Sequence, residues 1–490
     1  MPSRRLAALP ALLVILAATL ARAAGRPNIV VILSDDQGWN DTSVDFGLPK
    51  ARGANDHYRT PNLERLASEG VRLGQAYAAP VCSPTRVSLL TGLSVAHHGV
   101  TNWTLAQGKD LGVVDRGVAL PDWNCGGLQP RGAGVPRSFE RAETLPELLR
   151  AAGYRTIHVG KAHLGAIGTP GADPRNLGFD VNIAGTAMGH PASHLGTRNF
   201  GAGKDHGVPD LAEYHGKDIT LAQALTDRAI AEMERAKADG KPFFLHLAHY
   251  AVHAPIEPAD EFGKVYAGAG LGKTELHYAE MVSDVDASVG RVCAALERLG
   301  VARDTIVIFL SDNGGFAQRG GAGFKPLNLP LRSGKGSAYE GGIRTPMIVR
   351  WPGVAKAGLL TQGLARVEDL LPTLVAAAGG KVPGDIDGAD LSPLLRGETR
   401  PTPAYTWYYP HVWGAKGPGI EPFAAIREGD LKAIVFFVGD RLELYNLAND
   451  PGETRNLAAE RPQEALRLKE KLLASLKASG REPPRQAGGR

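Results

Sequence analysis

The chain has 490 residues, 43% of them hydrophobic and 22% charged, with a formal net charge of +4. This is ordinary globular composition with ample material for a large core. So small a charge on so long a chain gives no reason to invoke nucleic acid, and any preference for anions must be local.

Residues Met1 to Ala23 read as an export signal. Arg4 and Arg5 form a charged start, Leu6 to Leu20 is an apolar run too short for a comfortable membrane span, and Ala21-Arg22-Ala23 places small residues around a cleavage point. No later segment is long and apolar enough to cross a bilayer. The expectation is a mature protein that is exported, periplasmic or secreted, with no stable membrane anchor. The cysteines are Cys82, Cys125 and Cys293. An odd number in an exported chain points to one reactive or modified cysteine. Cys125 and Cys293 read as free thiols, with a disulfide between them as the alternative.

Along the chain, apolar β-branched runs at 28–34, 156–160, 243–248, 305–311 and 346–351 predict buried strands. Helical patterns at 61–69, 138–152, 220–238, 277–299 and 367–378 alternate with them. In the fourth of these, Cys293 falls on the face with Tyr278, Val285, Val289 and Leu296, as packing. Such alternation predicts an α/β fold with a large, mostly parallel sheet flanked by helices. From about Ser392 the texture changes to short strands at 405–409, 423–427, 431–437 and 442–447, then a helix at 462–478, which predicts a smaller antiparallel sheet with a closing helix. The expected division is a signal at 1–23, a main domain at 24–391, a C-terminal subdomain at 392–480 and a loose tail at 481–490.

Two strand ends echo each other. Leu33-Ser34-Asp35-Asp36-Gln37-Gly38 and Leu310-Ser311-Asp312-Asn313-Gly314-Gly315 each run from an apolar strand through Ser and two oxygen donors to Gly. Neighbours inside a strand point to opposite faces, but past a strand tip they can converge, and the carboxyl ends of parallel strands are where α/β sheets place their sites. Asp35, Asp36, Asp312 and Asn313 therefore offer an all-oxygen cage suited to Ca²⁺, with Mg²⁺ second. One such segment alone reads equally well as a turn; the repetition favours a metal.

The segment Cys82-Ser83-Pro84-Thr85-Arg86 precedes a helical run. Ser83 reads as an N-cap and Pro84 as the first helical residue, which places Cys82 at a helix N-terminus, where an anion is favoured. Lys161 and His163 follow a strand two residues apart, His253 follows another in Tyr250-Ala251-Val252-His253-Ala254-Pro255, and Lys335 lies in Leu331-Arg332-Ser333-Gly334-Lys335. Three Asp and one divalent cation sum to about minus one. Arg86, Lys161 and Lys335 outweigh that charge together with an incoming anion.

Cys-x-Pro-x-Arg, the paired oxygen clusters, the Lys/His segments and Leu442-Glu443-Leu444-Tyr445-Asn446-Leu447 together resemble the type I sulfatase family, whose fold is that of alkaline phosphatase. The resemblance spans nearly the whole mature chain, and Ala162 departs from it where an aromatic is common. It implies that Cys82 is oxidised to formylglycine by a formylglycine-generating enzyme, that the four oxygen donors hold calcium, and that Arg86 orients the nucleophile. It further implies that Lys161 and Lys335 bind sulfate, that His163 holds the nucleophile, and that His253 protonates the leaving group. The implied reaction is hydrolysis of sulfate monoesters, with a sulfated small molecule or glycan as partner. A phosphonate or phosphodiester hydrolase with the same nucleophile, or a glycan-binding relative whose Cys82 is never oxidised, are the alternatives. The segments 101–136 and 182–215 are expected to rim the pocket, with Trp103, Trp123, His190 and His194 facing sugar.

Overall fold

In the computed structural model the protein is described over residues 26–48, 56–104, 118–317, 327–411 and 417–486. The expected export signal lies outside the described residues, and no described helix is long and apolar enough to cross a membrane.

Nine strands form the main sheet. In chain order the elements around it are β1 (Asn28–Ser34), α1 (Pro61–Glu69), β2 (Val71–Tyr77), α2 (Cys82–Thr91), α3 (Leu145–Ala151), β3 (Arg155–Gly160), β4 (Val181–Ile183) and α4 (Leu221–Ala238). They continue with β5 (Phe243–Ala248), α5 (Lys273–Arg298), β6 (Thr305–Ser311), β7 (Arg344–Thr345), β8 (Met347–Arg350), β9 (Leu360–Arg366) and α6 (Leu370–Ala377). Across the sheet the order is β9-β2-β8-β6-β1-β5-β3-β4, and the two-residue β7 also pairs with β2. β1 is parallel to both β5 and β6, and β3 to both β5 and β4, whereas β8 runs antiparallel to β2 and β6. The sheet is therefore mixed but mostly parallel.

Alternation within the strands builds two cores. Val30, Ile32, Leu245, Leu247, Val307 and Phe309 face a cluster that includes α4 and α5; Ile29, Val31, Leu33, Ile306, Ile308 and Leu310 face one that includes α2, α3 and α6. With both faces covered, the central strands are wholly buried, which is why they read as unbroken apolar runs. Cys293 sits in the first of these clusters, and no disulfide joins Cys82, Cys125 and Cys293 among the described residues.

Several elements differ from expectation. The stretch expected as one helix over 138–152 starts as a short strand, Phe139–Arg141, paired with Leu128–Pro130; the helix begins only at Leu145. Thr144 caps it with Glu147 in a reciprocal capping box, and this local stop-start signal overrides the longer apolar pattern. β2 and β9 were not expected as strands. They carry Arg72, Gly74 and Gln75, and Thr361, Gln362 and Gly363, because they lie toward the sheet edge, where the apolar run is no longer required. Part of the expected loose tail is placed: Arg485–Gln486 pair with Val118–Ala119, and Arg481 Nε donates to Ala96 O (2.8 Å).

A second, four-stranded antiparallel sheet comprises β10 (Tyr405–Tyr409), β11 (Phe423–Glu428), β12 (Leu431–Phe436) and β13 (Arg441–Asn446) in that order. Helix α7 (Pro462–Ala478) packs Leu468, Leu472 and Leu476 on one face. The other face meets Tyr77, Val81 and Tyr339 of the main body. An ion cluster crosses this junction: fully buried Lys432 on β12 reaches Glu340 Oε1 (3.0 Å) and Glu453 Oε1 (2.8 Å), while the Tyr77 hydroxyl donates to Glu340 Oε2 (2.7 Å). Removing the cation strands two carboxylates in a dry junction. Lys432→Ala should lower stability by about 3–5 kcal/mol in urea unfolding; a loss of under about 1 kcal/mol would show that the pair is solvated.

Candidate active site

The register of β1 and β6 determines the site. Ser34 pairs directly with Ser311, so the two echoing sequences emerge side by side at the carboxyl ends of parallel strands. Asp35 N then donates to Ala251 O (2.9 Å), Asp312 N to Ser34 O (3.2 Å), Asp36 N to Asp312 Oδ1 (3.2 Å), and Gln37 N to Ser311 Oγ (3.0 Å). Asp36 takes a left-handed backbone (φ 62), which Asp tolerates better than most residues and which turns its carboxyl back over the strand tips. On the flanking parallel strands, β3 ends just before Lys161 and His163, and β5 shortly before His253. Gly160 (φ 103) is obligatory here, since a Cβ would sit 1.9 Å from Ala248 O.

Helix α2 contributes Cys82 and Arg86. Its first residue is Cys82 itself; extended Val81 stands at the cap, so the helix starts earlier than expected and Ser83 does not cap it. Ser83 Oγ instead accepts from Thr104 N (3.1 Å). Lys335 arrives on a loop tied to the same place, with Lys335 N donating to Gly315 O (2.9 Å) and Gly336 N to Pro80 O (2.8 Å).

Charges alternate through this centre. Lys161 Nζ meets Asp35 Oδ2 (2.6 Å), Arg86 Nη2 meets Asp312 Oδ2 (2.8 Å), and Lys335 Nζ lies between Asp36 Oδ1 (2.5 Å) and Cys82 Sγ (3.4 Å). Burial works against the Asp36 and Asp312 carboxylates, but Lys335 and His253 on one, and Arg86 and Lys161 on the other, hold both below the ordinary range. Burial, with Asp312 close by, pushes Asp35 up to about 8 despite Lys161. A divalent ion would favour the charged form of a buried carboxyl held up in this way.

The donor set fits such an ion. One ligand atom from each of Asp35, Asp36, Cys82 and Asp312 lies within 4.8 Å of the others. Asp36 Oδ2 and Asn313 Oδ1 are buried with no hydrogen-bond partner, and Asn313 Nδ2 donates to Asp36 Oδ1 (2.8 Å), which holds the amide in place. Uncompensated buried acceptors are costly unless a cation uses them.

Above the cluster opens a cavity of about 280 Å³ lined by Cys82, Trp103, His163, Gly189, His190, His206, His253 and Lys335. Residues distant in sequence thus converge on one opening. His163 Nε2 donates to Thr104 O (2.7 Å), which leaves Nδ1 as a lone pair, buried and unpartnered; burial, with Lys161 and Arg86, holds this imidazole well below its usual range. His253 Nδ1 donates to Ala254 O (3.0 Å) and its Nε2 lies 3.6 Å from Asp36 Oδ2. Burial pushes His253 down to about 3 against the pull of Asp36, and an arriving anion would act in the same direction as Asp36. Burial also pushes the Cys82 thiol up to about 11, although Lys161 and Lys335 oppose it.

Two residues expected at the rim lie elsewhere. His194 is buried, with Nε2 on His253 O (3.0 Å), and is not among the lining residues; it supports the His253 turn. Trp123 is buried edge-on against His411, at 5.0 Å between ring centroids, as packing. His206 and Gly189 were not singled out from sequence. Both lie in the segment 182–215 expected to rim the pocket, and a Cβ at Gly189 would lie 2.6 Å from His163 Cε1.

This geometry coincides with a family. The sulfatase family profile matches residues 27–380, and an N-sulphoglucosamine sulphohydrolase C-terminal profile matches residues 334–479. The chain belongs to the sulfatase family. A sulfatase of Formosa agariphila is 31% identical, covering 92% of this chain and 89% of that protein. The N-acetylgalactosamine-6-sulfatase of Mus musculus is 34% identical over 81% of this chain and 72% of its own length. Among solved structures, Ps i-CgsB in complex with k-i-k-neocarrahexaose superposes with a TM-score of 0.72 at 26% identity, covering 94% of each chain. As a sulfatase, this protein is a sulfuric ester hydrolase with the mixed, mostly parallel sheet of the alkaline phosphatase superfamily.

A ligand that binds only the folded state stabilises it. Adding Ca²⁺ or Mg²⁺ to chelator-treated sulfatase should therefore raise its melting temperature, and Asp312→Ala should abolish that rise. An undiminished rise in the variant would exclude Asp312 from the ligand set.

Proposed function

We propose that this sulfatase hydrolyses O-sulfated carbohydrate through a formylglycine at position 82 and one calcium ion. The observation that supports this best is the convergence of Cys82 Sγ, three carboxylates and Lys335 on the floor of a cavity walled by His163, His190, His253 and Trp103. Asp35, Asp36, Asp312 and Asn313 are all oxygen donors, which favours Ca²⁺ over zinc. Relatives support a sugar substrate by what they are named for: one is an N-acetylgalactosamine-6-sulfatase, and one similar structure holds a neocarrahexaose.

The conversion requires a formylglycine-generating enzyme that brings its own oxidant, and the Cys82-Ser83-Pro84-Thr85-Arg86 motif supports its recognition of this chain. We place the catalytic unit at residues 24–391 and the subdomain at 392–480, and we take the Met1 to Ala23 pattern as support for export to the periplasm or medium.

When present, the hydrated aldehyde supplies the oxygen that attacks sulfur and, by reverting, the route by which sulfate departs. The cation, when bound, supplies positive charge that polarises the sulfate and offsets the carboxylates. The chain's own residues do the rest. Arg86 neutralises Asp312 and so fixes that carboxylate beneath residue 82. Lys161 and Lys335 oppose the negative charge of the sulfate oxygens as the ester S–O bond breaks. His253, once protonated beside Asp36 and the bound anion, delivers its Nε2 proton to the departing alkoxide. His163 takes a proton at its free Nδ1 when the enzyme-bound sulfate is released.

Peptide mass of active enzyme should show an aldehyde in place of the thiol at residue 82, and a hydrazide probe should label it. Full activity with only unmodified cysteine there would sink this reading. His253→Ala should cut turnover of sugar sulfates by ~10²–10⁴-fold and that of 4-nitrophenyl sulfate far less, since that phenolate departs without a proton. Equal losses on both would reassign His253 to binding or to support of the carboxylates.

A further inference from the structure

His206 lines the cavity, yet the chemistry above gives it no task. Its backbone is held at φ 64, in the left-handed region, while its carbonyl accepts from Ala192 N (2.8 Å). Conformations of this kind are retained where the surrounding structure imposes them, and they gather at ligand sites. Its ring stacks on His190, with centroids 3.9 Å apart and planes 11° from parallel. His190 in turn lies 7° from parallel with His253, at 5.7 Å. The three imidazoles therefore form a rack. His253 stands at the reacting end beside Asp36, and His206 stands one ring beyond His190.

The hydrogen bonds of the rack leave one member uncommitted. His253 Nδ1 is taken by Ala254 O, and His190 Nδ1 by Pro191 O (3.1 Å). Among the described residues, His206 Nδ1 is buried without a hydrogen-bond partner. The cavity, at about 280 Å³, lies below the ~300–1,000 Å³ usual for drug-sized ligands, a size for one substituted ring rather than an oligomer. A ring whose ester group reaches Lys335 and His253 would present its far side to His206.

We propose that His206 is a specificity-determining residue that hydrogen-bonds a hydroxyl of a single sulfated sugar unit, on the side of the ring remote from the scissile ester. This rests on the sulfatase chemistry at residue 82. A buried hydrogen-bonding group that finds its partner only in the correct substrate discriminates strongly, because any analogue lacking the hydroxyl leaves it unpaired. An aryl sulfate would fill the same cavity without engaging His206.

The test compares aldehyde-bearing wild type, His206→Gly and His206→Asn on a panel of monosaccharide sulfates and on 4-nitrophenyl sulfate. Gly and Asn both accept a left-handed backbone, so both variants should melt near the wild type. For the best sugar sulfate, KM should rise ~10–100-fold in His206→Gly and less in His206→Asn, which keeps a hydrogen-bonding group. Values of kcat/KM for 4-nitrophenyl sulfate should not change. No change on the sugar, or equal loss on both substrates, would overturn the proposal. So would a wild type that cleaves 4-nitrophenyl sulfate but no sugar sulfate, a comparison that needs no variant. A wild type inactive on every sulfate ester would instead overturn the reading of residue 82.

Discussion

The in-register pairing of two parallel strands, Ser34 against Ser311, is the constraint on which the site depends. It forces Asp35, Asp36 and Asp312 together where water is excluded. Carboxylates so placed repel one another strongly, and the fold must supply countercharge for each. Lys161 answers Asp35, Arg86 answers Asp312 and Lys335 answers Asp36. The elements carrying these cations, the end of β3, helix α2 and the loop before β7, are therefore held to the strand tips by electrostatics as well as by packing. Of the three, Lys335 lines the cavity while Lys161 and Arg86 are buried, so part of what makes the acidic cluster tolerable also makes the cavity receptive to an anion.

The C-terminal sheet takes part in this at one remove. The loop that carries Lys335 continues into Ser337, Tyr339 and Glu340. Ser337 Oγ donates to Pro418 O (2.8 Å), the Tyr339 hydroxyl donates to Glu443 (2.7 Å), and Glu340 meets Lys432. These contacts are buried or partly buried, and each spans more than eighty residues of sequence. The small sheet is thus a brace for the segment that presents Lys335 to Cys82, and its ion cluster at Lys432 bears on the position of a charge in the active site.

Much of this was legible in the sequence, for identifiable reasons. The central strands are apolar on both faces, so 28–34, 243–248 and 305–311 could be read to the residue. The doubled Ser-Asp-x segment announced the oxygen cluster because parallel strands align repeated motifs. Strands β2 and β9, toward one side of the sheet, were invisible because polar residues and glycines break their pattern. Lys432, Glu340 and Glu453 show nothing locally; only the packing of the two sheets makes them one cluster. His206 escaped notice for a related reason, since a histidine in a glycine-rich loop carries no period, and its ring stack exists only once the loop is folded back on His190. His194 and Trp123 were legible as residue types suited to sugar but not as buried, since loop residues carry no periodicity from which burial can be read.

The proposed chemistry requires a cation bound where the two strand tips meet. A crystal structure of the calcium-grown enzyme, with anomalous scattering to locate the ion, tests this most directly. The expected result is a single ion touching oxygens of Asp35, Asp36, Asp312 and Asn313 at ~2.3–2.6 Å, with residue 82 beside it. An ion held instead by the imidazoles of His190, His206 and His253, or no ion at the strand tips, would contradict it.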